Sequence, residues 1–300
     1  MRKMLLVGDN PFHGISHLSE DRARARNNRI ANLEYASQLV LTSIQNGANG
    51  FMFSVSDTTL SILESVNKRV ENKQLMLHAI VPYAYEYVRL ATHLGTIGLG
   101  KKLVKRIILS SNPKAIATGF KAIIKMDPEA LMKTYLYYEI SRIESSIMKK
   151  HQLTSILLHE VITDMIAALD LEWFVKSYIR FISRLGVKPG FETRNFAYLV
   201  SKFKKWNIDF REIELVSSFN KIGFQMNSSK IECEKALAEI PECDVIAMSI
   251  LAAGYLKPPE ALEYVRSLEN LKGVVVGVSK ERHARETFRL LEKELAIQLQ

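Results

Sequence analysis

The C-terminal part of the chain decides the fold, and it reads VIAMSILAAGYL (residues 245 to 256) and then GVVVGVSKERHARETFRLL (273 to 291). In both segments an apolar run ends in small residues and is followed by a helix-like pattern. In α/β proteins this arrangement presents backbone N–H groups at a helix N-terminus, where anions bind. Each segment therefore predicts a strand, a tight turn and a helix, with a ligand pocket between them.

Six more apolar runs precede these two along the chain. Nearly continuous runs of this length are typical of parallel strands that are buried on both faces. The eight runs are MLLVG (4 to 8), GFMFSV (50 to 55), QLMLHAIV (74 to 81), SILLHE (155 to 160), VKPGFET (187 to 193), IELVSSF (213 to 219), DVIAMSI (244 to 250) and GVVVGVS (273 to 279). We predict a TIM barrel of the (β/α)8 type, formed as a single domain by residues 1–300, with a doubly wound sheet as the alternative.

The segments between the runs carry helix-start signals. Ser229 with Glu232 forms a capping-box pattern, Pro258 and Pro259 stand where a helix should begin, and Asn195 precedes FAYLVSKFKKW. These signals support alternating strands and helices.

The third and fourth runs are separated by far more sequence than one strand–helix unit needs. Residues 82–150 read as a helical insertion within the barrel, at the end where barrel enzymes bind ligands. From residue 81 to 150 there are twelve Lys and Arg against five Asp and Glu. Two interpretations stay open: a structural cap or oligomer contact, and a basic lid or membrane-surface contact through 101–125.

The composition is that of a globular protein, with 47% hydrophobic and 24% charged residues and a net charge of +9. Two cysteines cannot form a disulfide framework, and no stretch is long enough to span a membrane. Because MRKMLLVGDN has too short an apolar run for a signal peptide, we expect a cytoplasmic location. The oligomeric state is left open.

Polar residues follow several of the predicted strands. Strand ends in a barrel converge on one mouth, so we expect Asp9, His78, His159 and Glu192 to form the catalytic group. His159 has the same strand parity as Leu157, and it should point inward if that face does.

A second group of candidates follows the last two runs. Small residues let a ligand approach the backbone, Ser279 can cap the last helix, and cationic side chains attract an anion. We therefore predict a phosphate or cofactor site formed by Ala253, Gly254, Gly277, Ser279, Lys280 and Arg282.

Imidazoles and carboxylates also suit zinc, manganese or iron. The candidate ligands have no diagnostic spacing, so no metal site is assigned and a metal is not excluded; they are Asp9, His13, His17, His78, His159 and Glu192.

Several of these segments are similar to the aldo-keto reductase superfamily, a group of (β/α)8 barrels that bind NADP. IAMSILAAGYL resembles the seventh-strand pattern of that family, and VVVGVSKERHARET resembles the eighth-strand motif around the cofactor phosphates. SILLHE, FETRNF and IELVSSFNKIGFQMN are similar to the fourth, fifth and sixth strands. The resemblance covers about half of the chain, mostly 153 to 292, and implies NADP as the cofactor.

The chain departs from that family at its catalytic residues. The family uses a tyrosine acid supported by lysine, aspartate and histidine, and only the histidine carries over, at His159. Phe53 or Ser54 stands in place of the aspartate, His78 in place of the lysine, and no tyrosine lies near the second strand. Tyr83 and Tyr85 could reach the mouth from the next loop, but the motif assigns them no role.

Three functional hypotheses follow. The preferred one is a divergent aldo-keto-reductase-like enzyme that acts on a small polar substrate, carbonyl-containing or phosphorylated and anionic, with a phosphate or NADP site at strands 7 and 8. The second is a metal-assisted lyase, isomerase or hydrolase that uses the His and carboxylate cluster. The third is a non-enzymatic module whose basic insertion binds an anionic membrane or nucleic acid, although we expect no nucleic-acid partner for the enzyme.

Overall fold

The eight apolar runs form a closed barrel of parallel strands in sequence order, β1 to β8, with β8 paired to β1. The computed structural model describes residues 3–13, 32–70, 73–83, 127–147 and 151–296. The strands are β1 (Met4–Gly8), β2 (Gly50–Ser54), β3 (Met76–Val81), β4 (Gln152–Leu158), β5 (Lys188–Thr193), β6 (Glu214–Ser218), β7 (Asp244–Met248) and β8 (Leu271–Gly277). The predicted (β/α)8 fold is confirmed.

Helices cover the outside of the barrel. They are α1 (Leu33–Gln45), α2 (Asp57–Arg69), α3 (Pro128–Ile147), α4 (Glu160–Ala168), α5 (Glu172–Ser183), α6 (Phe196–Lys205), α7 (Lys230–Ala238), α8 (Pro258–Ser267) and α9 (Glu281–Ala296). The Ser229 side chain accepts the Glu232 N–H at the start of α7, and Pro258 opens α8, as predicted. Asn195 precedes α6 without capping it, because its amide donates to the Asp164 carboxylate at 2.9 Å.

The inside of the barrel is packed with its own layer of apolar side chains. Alternate residues of each strand point inward, and one cluster there consists of Leu6, Met52, Ile80, Leu157, Val216, Ile246 and Met248. Large side chains are matched by glycines on neighbouring strands: a Cβ on Gly190 would lie 2.5 Å from Leu157 Cδ2. The barrel is therefore filled below its mouth, so a ligand site must lie at the carboxyl ends of the strands.

The last part of the predicted insertion takes a regular place in the fold. Helix α3 packs between α2 and α5. Its Arg142 forms ion pairs with Asp57 of α2 and with Glu139, and Tyr137 makes an edge contact with Phe181 of α5. The basic stretch 101–125 and the other proposed insertion helices lie outside the described residues.

Within the described ranges, no helix is both long enough and apolar enough to cross a bilayer.

Candidate functional site

A cavity of about 560 Å³ opens at the carboxyl ends of the strands. Its volume is in the range of small-molecule sites. Its polar lining consists of Asp9, Asn10, Ser54, Tyr83, His159, Glu160, Glu192, Arg194, Ser249, Ser279, His283, Glu286 and Thr287. The mouth therefore brings together residues from across the sequence, including three of the four predicted catalytic residues.

His159 sits where β4 ends and α4 begins. Its Nδ1 accepts the Val161 N–H at 3.2 Å, so the side chain caps α4. Burial lowers the pKa of His159; the charge of Arg194 also lowers it, while Glu160 and Asp9 raise it. A neutral ring that accepts at Nδ1 carries its hydrogen on Nε2. His159 is thus held in the tautomer that offers an N–H donor.

Glu192, near the end of β5, is the most strongly perturbed carboxyl group in the cavity. Burial raises its pKa to about 8, and the negative charge of Glu160 adds to the shift. Arg194 opposes the shift, but its Nε donates to the Glu160 carboxylate. The Glu160 N–H lies 3.4 Å from Glu192 Oε2. These surroundings therefore favour the protonated form of Glu192 in the lining of the cavity.

Asp9 joins the ends of the first two strands. Its Oδ2 accepts the Ser54 N–H at 2.7 Å and lies 3.0 Å from His13 Nε2. The His13 ring stacks on Tyr83 with 4.6 Å between ring centroids. These contacts fix the carboxylate of Asp9 at the edge of the cavity. Tyr83 lines the cavity as the sequence suggested, whereas Tyr85 lies outside the described residues.

His78 does not line the cavity. It lies in the middle of β3, fully buried, with Nδ1 2.9 Å from both Ser155 Oγ and Glu214 Oε1. Ser155 Oγ in turn donates to Glu214 Oε1 at 2.8 Å. The expectation that His78 faces the mouth is wrong. Its side chain points into the barrel like that of Ile80, but it lies two residues earlier in β3 and therefore one layer deeper.

The structure places only some residues of the predicted phosphate site in the cavity. Ala253, Gly254, Gly277 and Ser279 line the cavity, but Lys280 and Arg282 do not. Arg282 instead donates from Nε to Glu286 Oε1 at 2.9 Å.

The backbone after β7 is left-handed at several residues. The φ angles of Ser249, Ala252, Ala253 and Gly254 are 54°, 45°, 58° and 99°. This conformation is unfavourable for residues with a Cβ, and such strain is concentrated at ligand sites.

Several lining residues were missed by the sequence analysis, Arg194, His283 and Glu286 among them. Arg194 follows Glu192 by two residues, in the motif FETRNF that had already been singled out. His283 and Glu286 are three residues apart in α9, so they share one helix face together with Thr287. That spacing could have identified them once the helix was placed beside the mouth.

In the described part of the chain, no group of three or more His, Cys, Asp or Glu side chains is arranged to hold a metal ion. His17, one of the candidate ligands, lies outside the described residues.

No protein-family model matches the chain, and a search of curated proteins finds no significant relative. Solved structures do match. Two structures from Pseudomonas aeruginosa, each assigned to the aldo-keto reductases, superimpose on this chain with a TM-score of 0.58. The first shares 11% sequence identity and the second 10%, and both alignments cover 98% of this chain and 92% or 91% of the other.

The chain therefore shares its (β/α)8 barrel fold with these two structures. The resemblance seen in the sequence is thus confirmed at the level of the fold. An identity of 11% transfers no site residue, so the chemistry has to be argued from the mouth of this barrel.

Proposed function

We propose that the chain is an oxidoreductase that reduces a small polar carbonyl compound with a nicotinamide dinucleotide. The dinucleotide binds at the ends of β7 and β8, and Glu192 donates a proton to the substrate oxygen. The observation that carries this proposal is that Glu192 and His159 line one cavity, beside a left-handed loop of small residues.

The backbone at the ends of β7 and β8 suits a ligand that carries phosphate groups. Ala253 and Gly254 expose left-handed main chain, and Gly277 brings no side chain into the cavity. Ser279 lies just before α9, whose N-terminus favours negative charge. When bound, the dinucleotide supplies the hydride.

Carbonyl reduction develops negative charge on the substrate oxygen, which a nearby donor must stabilise or protonate. The sequence lacks the tyrosine acid of the aldo-keto reductases near its second strand. Glu192 can replace it because its pKa, raised to about 8, keeps the proton on the carboxyl group at neutral pH.

His159 supplies a second donor to the same oxygen. Its neutral ring, held by the Val161 N–H, would polarise the carbonyl through Nε2–H without carrying a charge. Asp9, fixed by Ser54 and His13, keeps a negative charge at the cavity edge that favours retention of the Glu192 proton.

The test is turnover with NADH or NADPH on a panel of short aldehydes and hydroxyketones. Glu192→Gln should lower kcat roughly 100-fold or more with little change in KM, because the amide N–H is far too weak an acid to transfer its proton. Reduction by the native protein should fall as pH rises through about 8, where Glu192 loses its proton.

Glu172→Gln is the matched control. This carboxylate is half exposed on α5, where it pairs with Lys176, and it is not part of the cavity lining. Its turnover should equal that of the native protein. Absence of any dinucleotide-dependent reduction, or native turnover in Glu192→Gln, would refute the proposed chemistry.

A further inference from the structure

Helix α4 holds the turn that follows β5 through two carboxyl groups, Glu160 and Asp164. These residues are four apart, so they share one face of the helix. Asp164 Oδ2 accepts the Arg194 N–H at 3.3 Å and the Asn195 side-chain amide at 2.9 Å, and Asp164 Oδ1 accepts the Thr193 hydroxyl. The backbone of Arg194 is thereby fixed against α4.

The side chain of Arg194 is held by the other carboxylate of that helix face. Its Nε donates to Glu160, and the side chains of Arg194 and Glu160 are only 21% and 13% exposed. Ion pairs at this depth are screened by salt much less than surface pairs. Arg194 follows Glu192 by two residues, and both line the cavity. Without the Glu160 carboxylate, the guanidinium would be free to turn toward Glu192.

We propose that Glu160 is a positioning residue: by pairing with Arg194 it keeps the guanidinium from pairing with Glu192, so that the Glu192 carboxyl group keeps its proton. The inference rests on the proposed function, which gives that proton its part in the reaction.

Charges of both signs act on Glu192. Burial is the main cause of its raised pKa; the negative charge of Glu160 raises the pKa further, Arg194 and the Glu160 N–H lower it, and Asp9 raises it. Glu160 therefore favours the protonated acid twice, by its own charge and by its hold on Arg194. The other titratable groups of the described lining, at the ends of β3 and β4 and on α9, are Tyr83, His159, His283 and Glu286.

NMR titration of the Glu192 carboxyl carbon in the full-length protein tests the inference without relying on activity. In Glu160→Gln the midpoint should fall from about 8 by roughly 1 pH unit or more, because a negative charge is lost and Arg194 can pair with Glu192. In Arg194→Gln the midpoint should rise, because the positive charge is lost. Turnover of Glu160→Gln should begin to fall at a correspondingly lower pH than that of the native protein.

The double variant, Glu160→Gln with Arg194→Gln, shows whether Glu160 acts through Arg194. It lacks both charges but keeps the burial of Glu192, so its midpoint should lie close to the native one. The fall caused by Glu160→Gln should thus be larger when Arg194 is present than when it is absent.

Two further variants serve as controls. Glu160→Asp keeps the negative charge and should retain most of the native midpoint. Asp164→Asn changes a carboxyl group on the same helix face that contacts the backbone of Arg194 but not its guanidinium. Its midpoint should move much less than that of Glu160→Gln.

The outcomes separate the two proposals. A native midpoint in Glu160→Gln, or a fall of the same size with and without Arg194, overturns this inference and leaves the proposed function standing. If the midpoints shift as expected but the native protein reduces no carbonyl compound with either dinucleotide, the proposed function fails, while the effect of Glu160 on Glu192 stands.

Discussion

The barrel contains two clusters that pair histidine with carboxyl groups, one in its mouth and one in its interior. In the mouth, His159 and Glu192 line a cavity of about 560 Å³. In the interior, His78 and Glu214 are bonded to each other and to Ser155, and all three are almost completely buried. The residue types match, but only the first cluster can meet a ligand.

The difference arises from position along the strands. Ser155, Leu157 and His159 follow one another at every second residue of β4 and its end. The strand thus places one polar group in the packed interior and another, two steps further, in the mouth. Access, rather than residue type, separates a structural histidine from a candidate catalytic one.

The interior cluster should show the larger stability effect. Glu214→Ala removes the acceptor of both His78 and Ser155 and leaves them buried without it, so the free energy of unfolding should fall by about 3–5 kcal/mol. Urea unfolding measures the change. Glu214→Gln keeps an oxygen acceptor, so its free energy of unfolding should fall clearly less. A loss below about 1 kcal/mol in Glu214→Ala would contradict the structural role of the interior cluster.

In the mouth, by contrast, the carboxyl group of Glu192 should lower the free energy of unfolding rather than raise it. The pKa of Glu192 is raised in the folded protein to about 8, so the native state holds a proton that the unfolded chain releases above its ordinary pKa. This group therefore costs stability increasingly as pH rises from the ordinary glutamate value to about 8.

Glu192→Gln should remove that cost. The free energy of unfolding should rise by roughly 1–3 kcal/mol at pH 8 and stay nearly unchanged below pH 4. Denaturant curves of both proteins at the two pH values provide the measurement. A variant that is destabilised at pH 8 would place Glu192 with the structural cluster instead.

His159 has two roles to separate: it caps α4, which affects stability modestly, and it is the proposed donor to the substrate oxygen. His159→Ala loses the cap of α4 and should cost about 1 kcal/mol of stability. His159→Asn keeps a side-chain acceptor for the Val161 N–H and should recover most of that loss, yet it removes the imidazole donor.

Both variants should therefore turn over substrate slowly while differing in melting temperature. If His159→Asn restored turnover along with stability, the ring would serve only as a cap.

Much of the barrel could be predicted from the sequence, because strands buried on both faces must be apolar along their whole length. The eight runs and several helix starts followed from this rule and from local capping chemistry. His159 could be placed in the mouth because strand parity and position agreed.

The sequence could not show how deep an inward side chain lies in the barrel, or which side chains contact each other across strands. His78 lies on an inward position like His159, but nothing local shows that it sits below the last inward layer. The presence of Glu286 in the lining depends on which face of α9 turns toward the mouth, and the hydrogen bond from the Ser54 N–H to Asp9 joins the ends of two strands. Such contacts arise only when the barrel closes.

The most direct test of the account is an NMR titration of the Glu192 carboxyl carbon in the full-length protein, assigned by comparison with Glu192→Gln. Burial and the neighbouring Glu160 should keep the carboxyl protonated at neutral pH, with a midpoint near pH 8. A midpoint at the ordinary glutamate value, about 4.3, would mean that the mouth holds no acid at neutral pH and would contradict the proposed chemistry.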